Sequence, residues 1–241
     1  MKLFVYDNYE MMSLEAAKKV MQFITDKEKK VVCTASGDSP KGLYKALLAQ
    51  IQKNNPDVSE LQIIGLDEWL GMNGNDEGSC RYHLDEQLFN PLKINETQVT
   101  FFDGRAQDPQ KECERIDNRI RELNGIDLAI VGLGMNGHVG MNEPGISPLL
   151  HSHVAKIDPV TQQVGQKYFK EKKEIEGGLT LGIANLMEAR NVMLVVNGNR
   201  KAEILKQVLE EEISQKFPAG FLRNHPNFSV FADAEAARLL K

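Results

Sequence analysis

The stretch from Ile126 to Gly145, IDLAIVGLGMNGHVGMNEPG, constrains the fold more than any other part of the chain. It opens with Ile126, Leu128, Ala129, Ile130 and Val131, an apolar run of strand length that ends in glycine. A strand apolar at every position is buried on both faces, which is the situation inside a parallel sheet covered by helices. The chain then turns into a glycine loop in which a ligand can approach the main chain closely. That loop carries His138 and Glu143. An imidazole titrates nearest neutral pH, and a carboxylate beside it can orient the ring and hold one protonation state. The pair is an acid/base device if the two side chains meet.

Gly132, Gly134 and Gly137 also spell G-x-G-x-x-G after a strand, with Asp158 about twenty residues on, the pattern of a dinucleotide site. That reading needs a helix beginning at the third glycine. Gly140, Pro144, Gly145 and Pro148 punctuate the segment where its turns would lie, so a nicotinamide or flavin is not expected.

The 241 residues, 41% of them hydrophobic, suffice for one domain with a sizeable core. A formal net charge of -5 gives no footprint for nucleic acid or an anionic membrane, so an anionic ligand needs a local cluster of cations. Cys33, Cys80 and Cys113 have no metal-ligand spacing and follow no secretory leader, which predicts free thiols in a reducing cytoplasm. No apolar run is long enough to span a bilayer. The composition leaves the oligomeric state open and allows a homo-oligomer.

Strands are expected at Lys2–Tyr6, Val31–Cys33, Leu61–Leu66, Val99–Phe102, Val192–Val196 and from Phe228. Helical spacing follows from Leu14, with Ser13 as a cap, from Lys41, with Ser39 as a cap and Pro40 in the first turn, and from Pro109, with Gly125 as a stop. Leu179–Ala189 also reads as helix, and Asn199 as the cap of the next one. The basic, weakly periodic stretch 148–178 fits a lid or plain surface structure. Its His151 and His153, at i and i+2, would point to opposite faces of a strand, which argues against a metal there.

The polar equipment falls at strand ends. Ser36, Gly37, Asp38 and Ser39 lie between a strand and a helix start, where free N–H groups and the helix dipole favour an anion. Asp67 and Glu68 end the next strand, and alternation lets one of them face a site; Asp67 is the expected one. His138 and Glu143 follow the central strand, and Lys201 sits in a first helical turn, unfavourable to the dipole unless an anion is near. In open α/β sheets ligands bind beyond the carboxyl ends of the strands, so these signals share one edge. Together they predict a small phosphorylated substrate undergoing proton transfer without metal or cofactor.

The loop GLGMNGHVGMNEPG, the strand end LDEWLGM, the loop SGDSP and the segment NGNRKA resemble, in that order, the glucosamine-6-phosphate deaminase/isomerase family. MNGH followed by VGMNEPG is most similar to its galactosamine-6-phosphate branch. The resemblance implies a single-domain, Rossmann-like three-layer α/β/α fold with a mostly parallel sheet. It implies aldose–ketose isomerisation of an amino-sugar 6-phosphate with ammonia release: galactosamine 6-phosphate to tagatose 6-phosphate, with glucosamine 6-phosphate to fructose 6-phosphate as the second reading. By the same resemblance Asp67 is the base working between C2 and C1, and His138 the ring-opening group with Glu143 its partner. Ser36–Ser39 form the phosphate loop, and Lys201 binds the phosphate with Lys167, the latter standing where the family has arginine. Asn136 replaces an aspartate near the histidine, which removes a negative charge from beside the ring. Two other readings remain open on this fold: a 6-phosphogluconolactonase, against which Glu143 weighs, and a non-catalytic sugar-phosphate sensor, for which no DNA-binding module is in evidence.

Overall fold

The apolar run of the central stretch becomes the middle of a seven-stranded sheet. The computed structural model describes residues 1–25 and 30–241, and its strands are β1 (Lys2–Tyr6), β2 (Val31–Thr34), β3 (Gln62–Gly65), β4 (Asp67–Trp69), β5 (Val99–Thr100), β6 (Leu128–Gly132), β7 (His153–Lys156), β8 (Gly177–Thr180), β9 (Val192–Val196) and β10 (Phe228–Asp233). The main sheet has the order β1-β10-β9-β6-β2-β3-β5, with every neighbouring pair parallel. Its central strands are buried on both faces, which is why β6 and β9 lack hydrophobic alternation.

Helices cover both faces, completing the three-layer α/β/α, Rossmann-like arrangement. On one side lie α1 (Tyr9–Ile24), α2 (Asp38–Asn54) and the short α3 (Cys80–Leu84), which runs through a π-helical turn at Asp85–Phe89 into α4 (Asn90–Leu92). On the other lie α5 (Pro109–Glu122), then, beyond the short α6 (Pro159–Gly165), α7 (Ile183–Glu188), α8 (Ala202–Glu210) and α9 (Ala234–Ala237). Val32, Leu128 and Ile130 pack toward the first group, and Val31, Cys33, Ala129 and Val131 toward the second.

Strand order reverses between β2 and β6. From β2 the chain winds outward through β3 to β5; from β6 it winds the opposite way through β9 and β10. The loops after β2 and β6 therefore diverge and leave a crevice at the carboxyl edge, the place where open α/β sheets bind ligands.

Several boundaries differ from the sequence reading. Asn8, not Ser13, caps α1, its Oδ1 accepting from the Met11 N–H at 2.9 Å, and Ser13 is buried inside the helix. The expected continuation of α1 at 26–29 lies outside the described residues. Ser39 does not cap α2: Gly37 holds that position, and the Ser39 hydroxyl donates to Asn197 Oδ1 at 2.6 Å. Asn199 begins a 3-10 turn ahead of α8 and accepts from Arg238 instead of capping.

The start of the expected helix at 179–189 is instead strand β8. It lies in the middle of a separate three-stranded antiparallel sheet, β4-β8-β7. Gly178 allows this, because a Cβ there would fall 1.9 Å from Met141 Sδ. The small sheet places Asp67 beside Thr180 and carries the stretch 148–178 along one side of the crevice. Among the described residues no helix is long and apolar enough to cross a membrane.

Candidate active site

The crevice is a cavity walled by the loops after β2 and β6, the strand end at Asp67, the start of α3, helix α6 with the turn after it, and Lys201. Ser36, Gly37, Asp38 and Ser39 form one side. Gly37 has φ +129°, a conformation that side-chain-bearing residues rarely adopt, and no side chain caps the helix it begins. The amide end of α2 is thus offered to the cavity without a carboxylate or hydroxyl in the capping position. Tyr9 from α1 fixes this end: its hydroxyl donates to the Asp38 carbonyl at 2.7 Å and accepts the Gly42 N–H at 2.7 Å.

Two cations stand near that helix end. Lys201 donates to the Leu133 carbonyl; burial brings its ammonium down to about 8, with Lys167 contributing in the same direction and Asp38 opposing. Lys167 pairs with the Asp38 carboxylate across the mouth of the cavity. Ser36, Gly37, Asp38 and Ser39 and both lysines therefore line one cavity.

Asp67 faces the same cavity, and its neighbour Glu68 points the other way, as strand alternation requires. Glu68 is fully buried and accepts three backbone N–H groups: Trp69 at 2.8 Å, Cys80 at 2.9 Å and Arg81 at 3.0 Å. Burial pushes its carboxyl up to about 7 against those donors. Glu68 thus fastens the start of α3 to the strand end that delivers Asp67. Burial likewise pushes Asp67 up to about 6, while the Cys80 thiol and His138 favour its ionised form.

His138 comes from the loop after β6. Its Nδ1 lies 2.7 Å from Asn136 Oδ1, 3.1 Å from Thr161 Oγ1 and 3.5 Å from Glu143 Oε2. The Asn136 amide is oriented from both ends: its Nδ2 donates to Glu143 Oε2 at 2.8 Å, and its Oδ1 accepts the backbone N–H of His138 at 3.2 Å. Oδ1 is then an acceptor toward the ring, so Nδ1 carries the proton and Nε2 of the neutral ring is left free to accept. Burial opposes ionisation of Glu143, yet His138, Asn136 and Thr161 hold its carboxyl below the usual carboxylate range. Gly134 makes room for this ring, since a Cβ there would fall 2.2 Å from it.

The structure thus gathers Asp67, His138, Ser36, Gly37, Asp38, Ser39, Lys167 and Lys201 around one cavity, with Asn136 and Glu143 directly behind His138. Sequence reading missed Thr161, Tyr168 and Cys80, which line the same space. Thr161 and Tyr168 arrive on α6 and the turn after it, and the signal for that helix is present: Asp158 before Pro159 repeats the Asp108–Pro109 start of α5, and both aspartates accept from their first turns. Among the described residues no group of three or more His, Cys, Asp or Glu side chains could hold a metal ion.

The model of a family described as glucosamine-6-phosphate isomerases/6-phosphogluconolactonase matches residues 8–230. The chain is 35% identical to a glucosamine-6-phosphate deaminase of Clostridium beijerinckii over the whole length of both, and 34% identical to one of Shouchella clausii over 95% of this chain and 94% of the relative. Among solved structures it is similar to a monomeric glucosamine-6-phosphate deaminase, with a TM-score of 0.96 at 31% identity over 99% of this chain and all of that one. A 6-phosphogluconolactonase from Trypanosoma brucei shares the fold, with a TM-score of 0.79 at 20% identity over 100% of this chain and 98% of that one.

Proposed function

The chain belongs to this family of glucosamine-6-phosphate isomerases and 6-phosphogluconolactonases, and from that premise we propose that it is an amino-sugar-6-phosphate deaminase/isomerase acting on glucosamine 6-phosphate. The observation that carries the reading is the meeting of a half-buried carboxylate, Asp67, an imidazole held by Asn136 and Glu143, and a helix end with free amides beside two lysines in one cavity. The names of the relatives favour the glucosamine epimer, the sequence's second reading, over the galactosamine one. The imidazole–carboxylate pair and the isolated base favour deamination over lactone hydrolysis.

In this reading the substrate phosphate docks at the amide end of α2, within Ser36–Ser39, and against Lys201 and Lys167. Lys167 exchanges Asp38 for the phosphate. His138 Nε2 takes the proton of the C1 hydroxyl and returns it to the ring oxygen, opening the sugar. Asn136 and Glu143 hold the ring in the tautomer that makes Nε2 the acceptor and stabilise the charge it acquires. Asp67, as carboxylate, removes the C2 proton and delivers it to C1 while the C1 oxygen gains a proton given up by the substrate ammonium, leaving an imine at C2. Water adds to that carbon and ammonia departs, giving the ketose 6-phosphate. Acid/base groups of this kind each contribute about 10²–10⁴-fold.

The test is ammonia release from glucosamine 6-phosphate and galactosamine 6-phosphate in parallel, with the wild type and Asp67→Asn. Release from glucosamine 6-phosphate that the substitution abolishes supports the proposal. A galactosamine preference would restore the other epimer, and release from neither sugar would remove the deaminase reading.

A further inference from the structure

Thr161 takes no part in the steps above, yet it touches the group that begins them. It is buried on α6, lines the cavity and sets its Oγ1 3.1 Å from His138 Nδ1. The loop after β6 supplies the histidine itself and the other two groups near Nδ1, Asn136 Oδ1 at 2.7 Å and Glu143 Oε2 at 3.5 Å. Among the described residues Thr161 is therefore the polar contact that Nδ1 makes outside its own loop.

The helix bearing Thr161 is held at both ends. Asp158 caps it, its carboxylate accepting the Val160 N–H at 2.8 Å and its carbonyl the Gln162 N–H at 2.8 Å. At the far end Gly165 lies against Trp69 of β4, the strand that begins with Asp67; a Cβ on Gly165 would come within 3.6 Å of that indole. The turn that follows brings Lys167 and Tyr168 to the cavity. α6 thus spans from the imidazole to the strand of the carboxylate, and the backbone that places Thr161 also places Lys167.

The direction of the Thr161 contact follows from the Asn136 amide. Its Oδ1 is fixed as an acceptor, so Nδ1 carries the proton, and a hydroxyl beside an N–H can meet it only with a lone pair. A hydroxyl that donated to Nδ1 would stabilise the opposite tautomer, in which Nε2 bears the proton and cannot accept another. We propose that Thr161 is a positioning residue: its Oγ1 is a second acceptor for His138 Nδ1–H, which keeps Nε2 the free nitrogen and ties the imidazole to the helix that leads to Lys167. The inference rests on the proposed function, in which Nε2 takes the proton of the C1 hydroxyl.

Thr161→Val keeps the shape of the side chain and removes the oxygen, Thr161→Ser keeps the oxygen, and Thr161→Ala removes both oxygen and methyl. Two readouts apply. The first is the His138 tautomer, read from ring 15N shifts in unliganded protein at a pH where the ring is neutral, with His138→Gln identifying its signals. The second is kcat and KM for ammonia release from glucosamine 6-phosphate. Thr161→Val should transfer part of the ring population to the Nε2–H form and lower kcat by about 3- to 10-fold, with KM within about twofold of wild type. Thr161→Ser should restore both the wild-type tautomer and kcat. A wild-type ring in the Nε2–H form, a Val variant whose tautomer is unmoved, or a change in KM alone overturns the proposal. If the Val variant does not fold, Thr161→Ala carries the same expectation and the same overturning results. If the wild type releases no ammonia, the deaminase reading falls while the tautomer comparison still decides the contact.

Discussion

Asn136 Oδ1 sits 2.7 Å from His138 Nδ1 while the other end of the same amide donates to Glu143 Oε2 at 2.8 Å. One neutral side chain thus bridges a histidine and an acid and dictates which ring nitrogen is free. Asn136→Leu, close in size but without hydrogen bonds, should lower kcat for ammonia release by about 10- to 100-fold, at or below the lower end of the range for general acid–base devices, because the imidazole itself remains. Asn136→Asp should instead favour the imidazolium and move the acidic limb of kcat upward by about one pH unit or more. Steady-state ammonia release across pH separates the two effects.

Asp67→Asn removes a carboxylate that burial makes costly, and with it the only proposed base between C2 and C1. Ammonia release should fall by about 10²–10⁴-fold. The melting temperature should stay level or rise, because an amide at this half-buried position carries no charge to desolvate. A loss of activity accompanied by unfolding would contradict this assignment.

The profile of kcat/KM against pH should be bell-shaped. Asp67, raised to about 6 by burial, must be ionised to accept the C2 proton, so activity is lost as pH falls through that value. Lys201, lowered to about 8 by burial and Lys167, must be protonated to hold the phosphate, so activity is lost as pH rises through it. Because kcat/KM reports the free enzyme, both limbs belong to the unliganded groups. A flat profile between pH 5 and 9, on the order of two units either side of neutrality, would count against both residues.

Asp38 pairs with Lys167 across the mouth of the cavity, and under the proposed function it competes there with the substrate phosphate. Both side chains are substantially exposed, so their pairing is weak. Asp38→Asn should lower KM for the phosphorylated sugar by about twofold to fivefold with kcat unchanged, and Lys167→Ala should raise KM. Initial rates over a substrate series distinguish these from effects on the chemical step.

Glu68 supports the site without facing it. Glu68→Ala would leave three backbone N–H groups without their acceptor in a buried place. A loss of about 3 kcal/mol is expected, and a fall in melting temperature of roughly 6–12 °C for a chain of this size. Activity should fall as well, since the strand end bearing Asp67 and the start of α3 are no longer tied together.

The strands of the main sheet were legible because burial on both faces leaves uninterrupted apolar runs, as at Val192–Val196 and Leu128–Val131. The site loops were legible because glycine, histidine and acid residues interrupt those runs at one edge. The second sheet was not. Its central strand contains Gly177 and Gly178, which lower strand propensity, and exists because it pairs with β4 and β7 while Met141 packs against Gly178. Ser13 and Asn8 are both good capping types, and only the turn at Tyr9–Met12, which the apolar spacing from Leu14 does not include, tells them apart. Cys80 escaped notice because nothing in its sequence neighbours announces a carboxylate brought beside it from β4.

In the main sheet the order β1-β10-β9 inserts the last strand of the chain between the first and the ninth, pairing Lys2 with Ser229 and Phe228 with Val192. A ribosome delivers β1 before every other strand of this sheet, but the only main-sheet neighbour of that strand is made after all the rest. Until then its backbone donors and acceptors have no strand to meet, and the nascent sheet ends at β9 with an open edge. The crevice between β2 and β6, by contrast, can assemble from segments already made. Completion of the sheet and completion of the site are therefore separate events in the life of the chain.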